Sequence, residues 1–189
     1  MRVGLDFIKA FIPPKNILIP NPTWANHQSV ITHSNLTYQQ YPYYDPVTKK
    51  VKIDELIDFL NKTEEGNVVL LHACAHNPTG VDPSSSDWSR IAEVMQKRNL
   101  VPFFDAAYQG FASGDIAKDI QPVRDFAAKG FTMLVAQSYA KNMGLYGHRT
   151  GAIHFVSPDK ATSSKVLSQV KIIIRSNYSS PPLYGARIA

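Results

Sequence analysis

Three stretches of this sequence place reactive side chains directly after runs of apolar residues. His76-Asn77-Pro78-Thr79-Gly80 follows the first run, and Asp105-Ala106-Ala107-Tyr108 ends the second. Ser138-Tyr139-Ala140-Lys141-Asn142 follows the third run, and Arg149 comes a few residues later. An amine, a carboxylate, a phenol, an amide and a guanidinium are thus available for nucleophilic, acid–base and anion-binding chemistry.

The segments around these residues predict elements that bring them together. Asn67 to Ala73, Leu100 to Asp105 and Phe131 to Gln137 are apolar runs typical of strands buried on both faces. Between them, Ser84 to Asn99 and Pro122 to Lys129 predict helices. This alternation predicts an α/β fold, a mostly parallel sheet with helices on both faces. Because ligands bind at the carboxyl ends of such strands, we expect the reactive residues to share one edge.

Other elements are expected on either side of this central region. They are an N-terminal helix, a strand from Ile17 to Ile19, a Pro/Tyr-rich connection from Tyr38 to Pro46, a helix from Asp54 to Lys62, a strand from Gly151 to Val156 and a helix from Ser157-Pro158 to about Arg175.

The converging residues match the needs of pyridoxal phosphate. This cofactor requires an amine for covalent attachment, a carboxylate at its pyridine nitrogen and donors for its phosphate. Lys141 would be the amine, and Asn77 and Tyr108 would bond the ring oxygen. Arg149 would fork onto phosphate oxygens and, as a nearby cation, favour the nucleophilic form of the lysine.

Each of these residues has a simpler interpretation when taken alone. Lys141 and Arg149 would be solvated surface charges, Asp105 would cap a turn, and Asn77-Pro78 would initiate one. Their joint placement after buried strands favours the cofactor site.

His72, Cys74 and His76 alternate at strand spacing, so we expect them to point the same way. A metal site is conceivable, but structural zinc usually has four ligands and no fourth is nearby. We favour no metal, a buried Cys74 thiol, and a His72 that supports Asp105.

Composition excludes several classes of function. The 189 residues carry a net charge of +5 that is spread along the chain, with no basic run interleaved with aromatics, so nucleic acid is a poor partner. No apolar stretch reaches the length of a membrane span. The single cysteine fits a reducing compartment, and Asp6 and Lys9 interrupt any signal-like N-terminus, so we expect an intracellular protein.

Three segments resemble the signatures of aspartate aminotransferases, which belong to the class I pyridoxal-phosphate-dependent aminotransferases. They are His72 to Pro83, Asp105 to Gly114 and Gln137 to Gly147. The resemblance covers essentially the whole chain. It implies the large domain of fold-type I, with residues 1–189 as a single, partial pyridoxal-phosphate-binding domain without the small domain or the N-terminal arm.

The resemblance also implies a role for each matching residue around the cofactor. Trp24 would stack on its ring, Asp105 would face its nitrogen, and Lys141 would hold it covalently. Ser138 would join Arg149 on the phosphate.

For the substrate, the resemblance implies amino and keto dicarboxylic acids and a homodimer. Arg175 would reach the neighbouring subunit's site and grip the distal carboxylate, beside Trp24 and Asn77. His148 stands where a glutamate is usual, and Ser180 where an asparagine is usual. The family's α-carboxylate arginine lies outside this chain, so a catalytically incompetent or interaction-only protein remains an alternative, as does an aromatic aminotransferase.

Overall fold

The computed structural model describes residues 1–12 and 16–189. The helices are α1 (Arg2–Phe11), α2 (Asn26–His33), α3 (Ile53–Lys62), α4 (Ser85–Lys97), α5 (Ile116–Asp119), α6 (Gln121–Ala128), α7 (Lys160–Asn177) and α8 (Leu183–Ile188). The strands are β1 (Ile17–Asn21), β2 (Tyr38–Pro42), β3 (Tyr44–Asp45), β4 (Lys50–Val51), β5 (Val68–His72), β6 (Val101–Ala106), β7 (Met133–Ser138) and β8 (Gly151–Val156).

Six strands form one sheet in the order β2-β1-β5-β6-β7-β8. The pairings from β2 through β7 are parallel, and only β8 runs antiparallel to its neighbour β7. In this register His72 lies beside Asp105, and Ala106 beside Gln137, so the ends of β5, β6 and β7 form one edge. The predicted mostly parallel sheet is confirmed.

Helices cover both faces of the sheet because the central strands are apolar on both sides. Val69 and Leu71 of β5 pack in a core with α3, α4 and α6. Val68 and Leu70 of the same strand pack in a second core with α1 and α2. Alternate side chains of one strand therefore anchor opposite layers.

Most predicted elements agree with the structure to within two residues at each end. Helix α4 illustrates why: the Ser84 side chain accepts the Asp87 N–H, and Asp87 in turn accepts the Ser84 N–H. This reciprocal capping box satisfies two otherwise free backbone donors and fixes the start of the helix.

Two expectations were wrong. The segment from Tyr38 to Pro46 is not merely a connection, because Tyr38–Pro42 is the edge strand β2. Pro42 is tolerated there because an edge strand has one side without ladder bonds. The long helix begins at Lys160 rather than at Ser157-Pro158, because the Asp159 side chain accepts the Thr162 N–H at 2.8 Å and caps it.

None of the helices in the described part of the chain combines the length and the apolarity needed to cross a membrane.

Candidate active site

A cavity of about 430 Å³ lies at the carboxyl edge of β5, β6 and β7. All eight residues that we assigned to a cofactor line it: Trp24, His72, Asn77, Asp105, Tyr108, Ser138, Lys141 and Arg149. Parallel strands end at the same edge, so residues far apart in sequence meet there.

Arg175 is the predicted site residue that does not line this cavity. It lies exposed in the last turns of α7, where its guanidinium donates to the Ser179 hydroxyl. Its assignment to the site of a neighbouring subunit stays a prediction.

The carboxylate of Asp105 has a buried imidazole as its partner. Nε2 of His27 lies 2.9 Å from Oδ2 of Asp105, and the His27 side chain has no exposed surface. The direct hydrogen bond to Asp105 thus comes from His27, which the sequence did not predict, and the supporting role expected of His72 stays a prediction. His72 instead packs against the His27 ring, with centroids 5.2 Å apart.

Thr23 links the two histidines into a longer chain of hydrogen bonds. Its Oγ1 lies 2.7 Å from Nδ1 of His27 and 3.2 Å from Nε2 of His72. At the far end, the Asn77 N–H donates to Nδ1 of His72 at 3.5 Å. The chain connects the residue at one side of the cavity, Asn77, with the carboxylate of Asp105.

Electrostatics keep these groups in defined protonation states. Burial is the largest single influence and raises the pKa of Asp105, but the hydrogen bond from His27 and the electrostatic interactions with His27 and His72 together outweigh it and hold the pKa below its usual value. Burial lowers the pKa of His72 to about 4, against the opposing attraction of Asp105. At neutral pH the cavity therefore contains an ionised carboxylate beside a neutral His72.

The amine of Lys141 lies between two phenol rings. Its Nζ is 5.1 Å from the ring centroid of Tyr108 and 5.2 Å from that of Tyr146. The guanidinium carbon of Arg149 lies 5.5 Å from the same Tyr146 ring. Both cations thus make cation–π contacts with Tyr146, a residue that the sequence did not assign to the site.

Arg149 occupies an unusual backbone conformation for an arginine. Its φ of 52° is left-handed and follows a short 3₁₀ turn, Tyr146–His148. Helix α8 packs closely on this loop. The approach is so close that a Cβ at Gly185 would collide with the Thr150 hydroxyl. A strained residue held in this way by its surroundings is typical of a binding loop.

His148 and Trp24 lie at the more open parts of the site. The His148 ring stacks on Tyr184 of α8 at 5.4 Å, so this departure from the family pattern contributes to loop packing. Trp24 is 41% exposed, with its ring against the edge of His27, which leaves surface free for a planar ligand.

A second cavity, of about 500 Å³, lies beside Cys74, Asp82 and Trp88. Its carboxylate Asp119 accepts the backbone N–H groups of Gly110, Ala112 and Ser113, and also the Ser113 hydroxyl. That carboxylate is satisfied by its own loop, so we assign this cavity a structural role.

We expected His72, Cys74 and His76 to point the same way, but Cys74 does not share a cavity with His72. Strand β5 ends at His72, which lines the first cavity, while Cys74 lines the second. Burial raises the pKa of the Cys74 thiol to about 12. Among the described residues, no group of three or more potential metal ligands comes together.

The residues present fit pyridoxal phosphate. An ionised carboxylate, a lysine amine, and serine and arginine donors line one cavity that is large enough for a small aromatic ring and its phosphate. Every side chain that we assigned to holding the cofactor ring lies in this cavity.

This fold and the side chains that line its cavity are those of an α/β protein that binds pyridoxal phosphate. The profile described as "Aminotransferase class I and II" matches residues 1–189. The chain belongs to the class I and II aminotransferase family.

Known proteins resemble the chain closely. Aspartate aminotransferase 1 from Medicago sativa is 51% identical over 188 residues, covering 100% of this chain and 45% of that protein. The structure of aspartate aminotransferase from Trypanosoma cruzi matches with a TM-score of 0.96 and 44% identity, over 99% of this chain and 48% of that one. An aromatic-amino-acid aminotransferase from Burkholderia pseudomallei, covalently bound to pyridoxal phosphate, matches with a TM-score of 0.97 and 42% identity, over 99% and 47%.

The chain spans about half the length of the curated relatives that it matches. Those relatives include proteins named as cytoplasmic, mitochondrial and chloroplastic forms.

Proposed function

We propose that this chain contributes to transamination between L-aspartate and 2-oxoglutarate, which gives oxaloacetate and L-glutamate, with pyridoxal phosphate held by Lys141. The observation that carries the proposal is the single cavity lined by Lys141, Asp105 and the other assigned cofactor residues. The curated relatives at 44–51% identity are named aspartate aminotransferases, which supports this substrate class over aromatic amino acids.

Bound pyridoxal phosphate would supply an electron-withdrawing ring that stabilises negative charge at the substrate α-carbon. The ionised carboxylate of Asp105 would hold a proton on the ring nitrogen, which strengthens that withdrawal. The hydrogen bond from His27, together with the electrostatic interaction with His72, keeps Asp105 ionised at neutral pH.

Lys141 would act twice. Its Nζ would hold the cofactor covalently, and, after the substrate amine displaces it, the same Nζ would take the proton from the substrate α-carbon as a base and then donate it, as the conjugate acid, to the C4′ carbon of the cofactor. The neighbouring rings of Tyr108 and Tyr146 limit where this flexible side chain can place its amine.

The remaining residues would orient the ligand. Asn77 and Tyr108 would donate to the ring oxygen, while Ser138 and Arg149 would bind the phosphate. Trp24 would cover the ring face with its exposed surface. Fixing a ligand in this way lowers the entropic part of the activation barrier.

We further propose that residues 1–189 form the cofactor-binding domain of an intracellular homodimer. Arg175 lies outside this chain's own cavity, which agrees with a role in the partner's site, where it would grip the distal carboxylate of a dicarboxylic substrate.

The test is the formation of oxaloacetate from L-aspartate by the cofactor-loaded protein with 2-oxoglutarate. Lys141→Ala should abolish product formation, whereas Lys118→Ala, an exposed lysine on α5, should leave it unchanged. Measurable and equal oxaloacetate formation by wild type and Lys141→Ala would refute the proposal. No product from wild type would favour the catalytically incompetent alternative. A preference for L-phenylalanine over L-aspartate would instead assign the protein to aromatic substrates.

A further inference from the structure

The separation between Tyr108 and Lys141 is set by two different loops. Tyr108 follows β6 and Lys141 follows β7, yet the Lys141 amine lies 5.1 Å from the Tyr108 ring. Strand pairing ends at Ala106 and Gln137, before either residue is reached. Some other contact must therefore hold these loops in register.

A side-chain bridge joins the loop after β6 to the end of β7, just before the loop that carries Lys141. Gln109, which directly follows Tyr108, accepts a hydrogen bond at Oε1 from Nε2 of Gln137 at 2.7 Å. Gln137 directly precedes Ser138 on β7, and both glutamine side chains are partly buried. A short amide–amide bond that is shielded from water stabilises its geometry more than an exposed one does.

Further bonds fix the orientation of both amides. Oε1 of Gln137 accepts from the Tyr139 hydroxyl at 3.2 Å and from Nε2 of His154 at 3.0 Å. Nε2 of Gln109 donates to the Ile116 carbonyl at 2.9 Å. Reversing either amide would place two donors or two acceptors against each other, so only one arrangement is satisfied.

The bridge lies on the face of the sheet away from the ligand. Ala136 and Ser138 line the cavity, and side chains alternate along a strand, so Gln137 between them projects to the opposite face. The two glutamines therefore act on the site through the backbone of their neighbours.

We propose that Gln109 and Gln137 are positioning residues whose hydrogen bond sets the distance between Tyr108 and Lys141. This inference rests on the proposed function, in which Tyr108 and Lys141 both contact the cofactor. The bridge keeps the phenol and the amine at a fixed separation while the amine is attached and released.

The test compares matched glutamine variants. Gln137→Met removes the bridge at nearly constant size, and Gln96→Met removes a similar side-chain bond, from Nε2 to the Lys129 carbonyl at 3.0 Å, far from the site. Gln109→Glu retains an acceptor for Gln137 and should preserve the bridge while losing the bond to Ile116.

The first readout is hydrogen–deuterium exchange of the Tyr108 and Lys141 segments, which needs no cofactor. Gln137→Met should exchange about fivefold faster in residues 107–112 and 139–142, as expected for one lost hydrogen bond. In Gln96→Met, both segments should exchange at the wild-type rate. In Gln109→Glu, residues 139–142 should exchange at the wild-type rate. Unchanged exchange in Gln137→Met would overturn the proposal.

The second readout is the rate at which a small acylating reagent modifies Lys141, relative to the other lysines. Gln137→Met should raise this ratio severalfold, and in cofactor-loaded protein it should also shift the pH dependence of the absorbance of the lysine-bound cofactor. Faster exchange with an unchanged Lys141 ratio would reduce the bridge to a structural contact and contradict its positioning role. If the wild-type protein attaches no cofactor at Lys141, the proposed function fails. Hydrogen–deuterium exchange and the acylation ratio of Lys141 still show, without cofactor, whether the bridge positions the two segments.

Discussion

Nε2 of His27 donates to Oδ2 of Asp105 at 2.9 Å. This bond ends a chain of hydrogen bonds in which every donor points from Asn77 towards Asp105. The Asn77 N–H points at Nδ1 of His72, so neutral His72 carries its proton on Nε2 and donates it to Thr23. The Thr23 hydroxyl then donates to Nδ1 of His27, which leaves the His27 proton on Nε2, facing Asp105.

His27→Leu should weaken both cofactor binding and turnover. Without the imidazole, burial of Asp105 is opposed less strongly because the hydrogen bond is lost, so the pKa of its carboxyl should rise and the acidic limb of the activity profile should move to higher pH. Folding stability should fall by about 2 kcal/mol, since a largely buried carboxylate loses its hydrogen-bond donor. The check is a pH–rate profile with urea unfolding, using His33→Leu, at the exposed end of α2, as control. An unmoved acidic limb would contradict this account of Asp105.

Thr23→Val should disconnect the two histidines at nearly constant shape. Loss of the hydroxyl leaves Nδ1 of His27 without its donor, so the imidazole is free to turn away from Asp105 or change tautomer. We expect roughly tenfold slower turnover, equivalent to about 1.4 kcal/mol. Thr23→Ser retains the hydroxyl and should behave like wild type. Equal kinetics of the valine and serine variants would show that the connection has no functional role.

Asp105→Ala should separate cofactor attachment from chemistry. The Lys141 amine remains in place, so the cofactor should still attach, but its ring nitrogen loses the carboxylate that keeps it protonated. Losing such a stabilising charge typically lowers the rate by about 10²-fold to 10³-fold or more. Absorbance of the lysine-bound cofactor and single-turnover kinetics measure the two effects. Near-normal turnover would reject the assignment of Asp105.

Stability should fall in mild acid because two histidines are buried in neutral form. Burial lowers the pKa of His72 to about 4 and that of His76 to about 3. Both folded-state values lie below the unfolded value, so stability is full above about pH 6.5 and declines as the unfolded chain takes up protons below it. The two sites together predict a slope of roughly 3 kcal/mol per pH unit between about pH 6 and 4.

Urea unfolding at a series of pH values tests that slope. His76→Phe keeps a ring for the stack on Tyr43, whose centroid lies 4.0 Å away, and should remove about half of the slope. His33→Gln should leave the slope as it is. If His76→Phe also leaves it unchanged, His76 is not buried in neutral form.

The strands and helices with clear periodicity were predictable from the sequence. Strand β8 (Gly151–Val156) has the predicted limits, and helix α3 differs by one residue, because their apolar patterns and flanking signals agree. The edge strand Tyr38–Pro42 was missed because only one of its five residues is buried and proline masks its pattern.

The cavity was predictable to a similar degree, since a parallel sheet brings the ends of its strands together. His27 was not predicted, although it stands three residues after Trp24, because its burial depends on packing between α2 and the sheet. The Gln109–Gln137 bridge depends in the same way on the distance between the loop after β6 and the end of β7, which no local pattern encodes.

Covalent trapping tests the central claim most directly. The protein is incubated with pyridoxal phosphate, reduced with borohydride, digested and analysed by peptide mass spectrometry, with Lys141→Ala and Lys118→Ala in parallel. We predict one dominant adduct on Lys141, present in Lys118→Ala and absent in Lys141→Ala, because that amine alone lies in the cavity with Asp105 and Arg149 among the lysines that the structure describes. Adducts spread over surface lysines, with the same total in Lys141→Ala, would contradict the account.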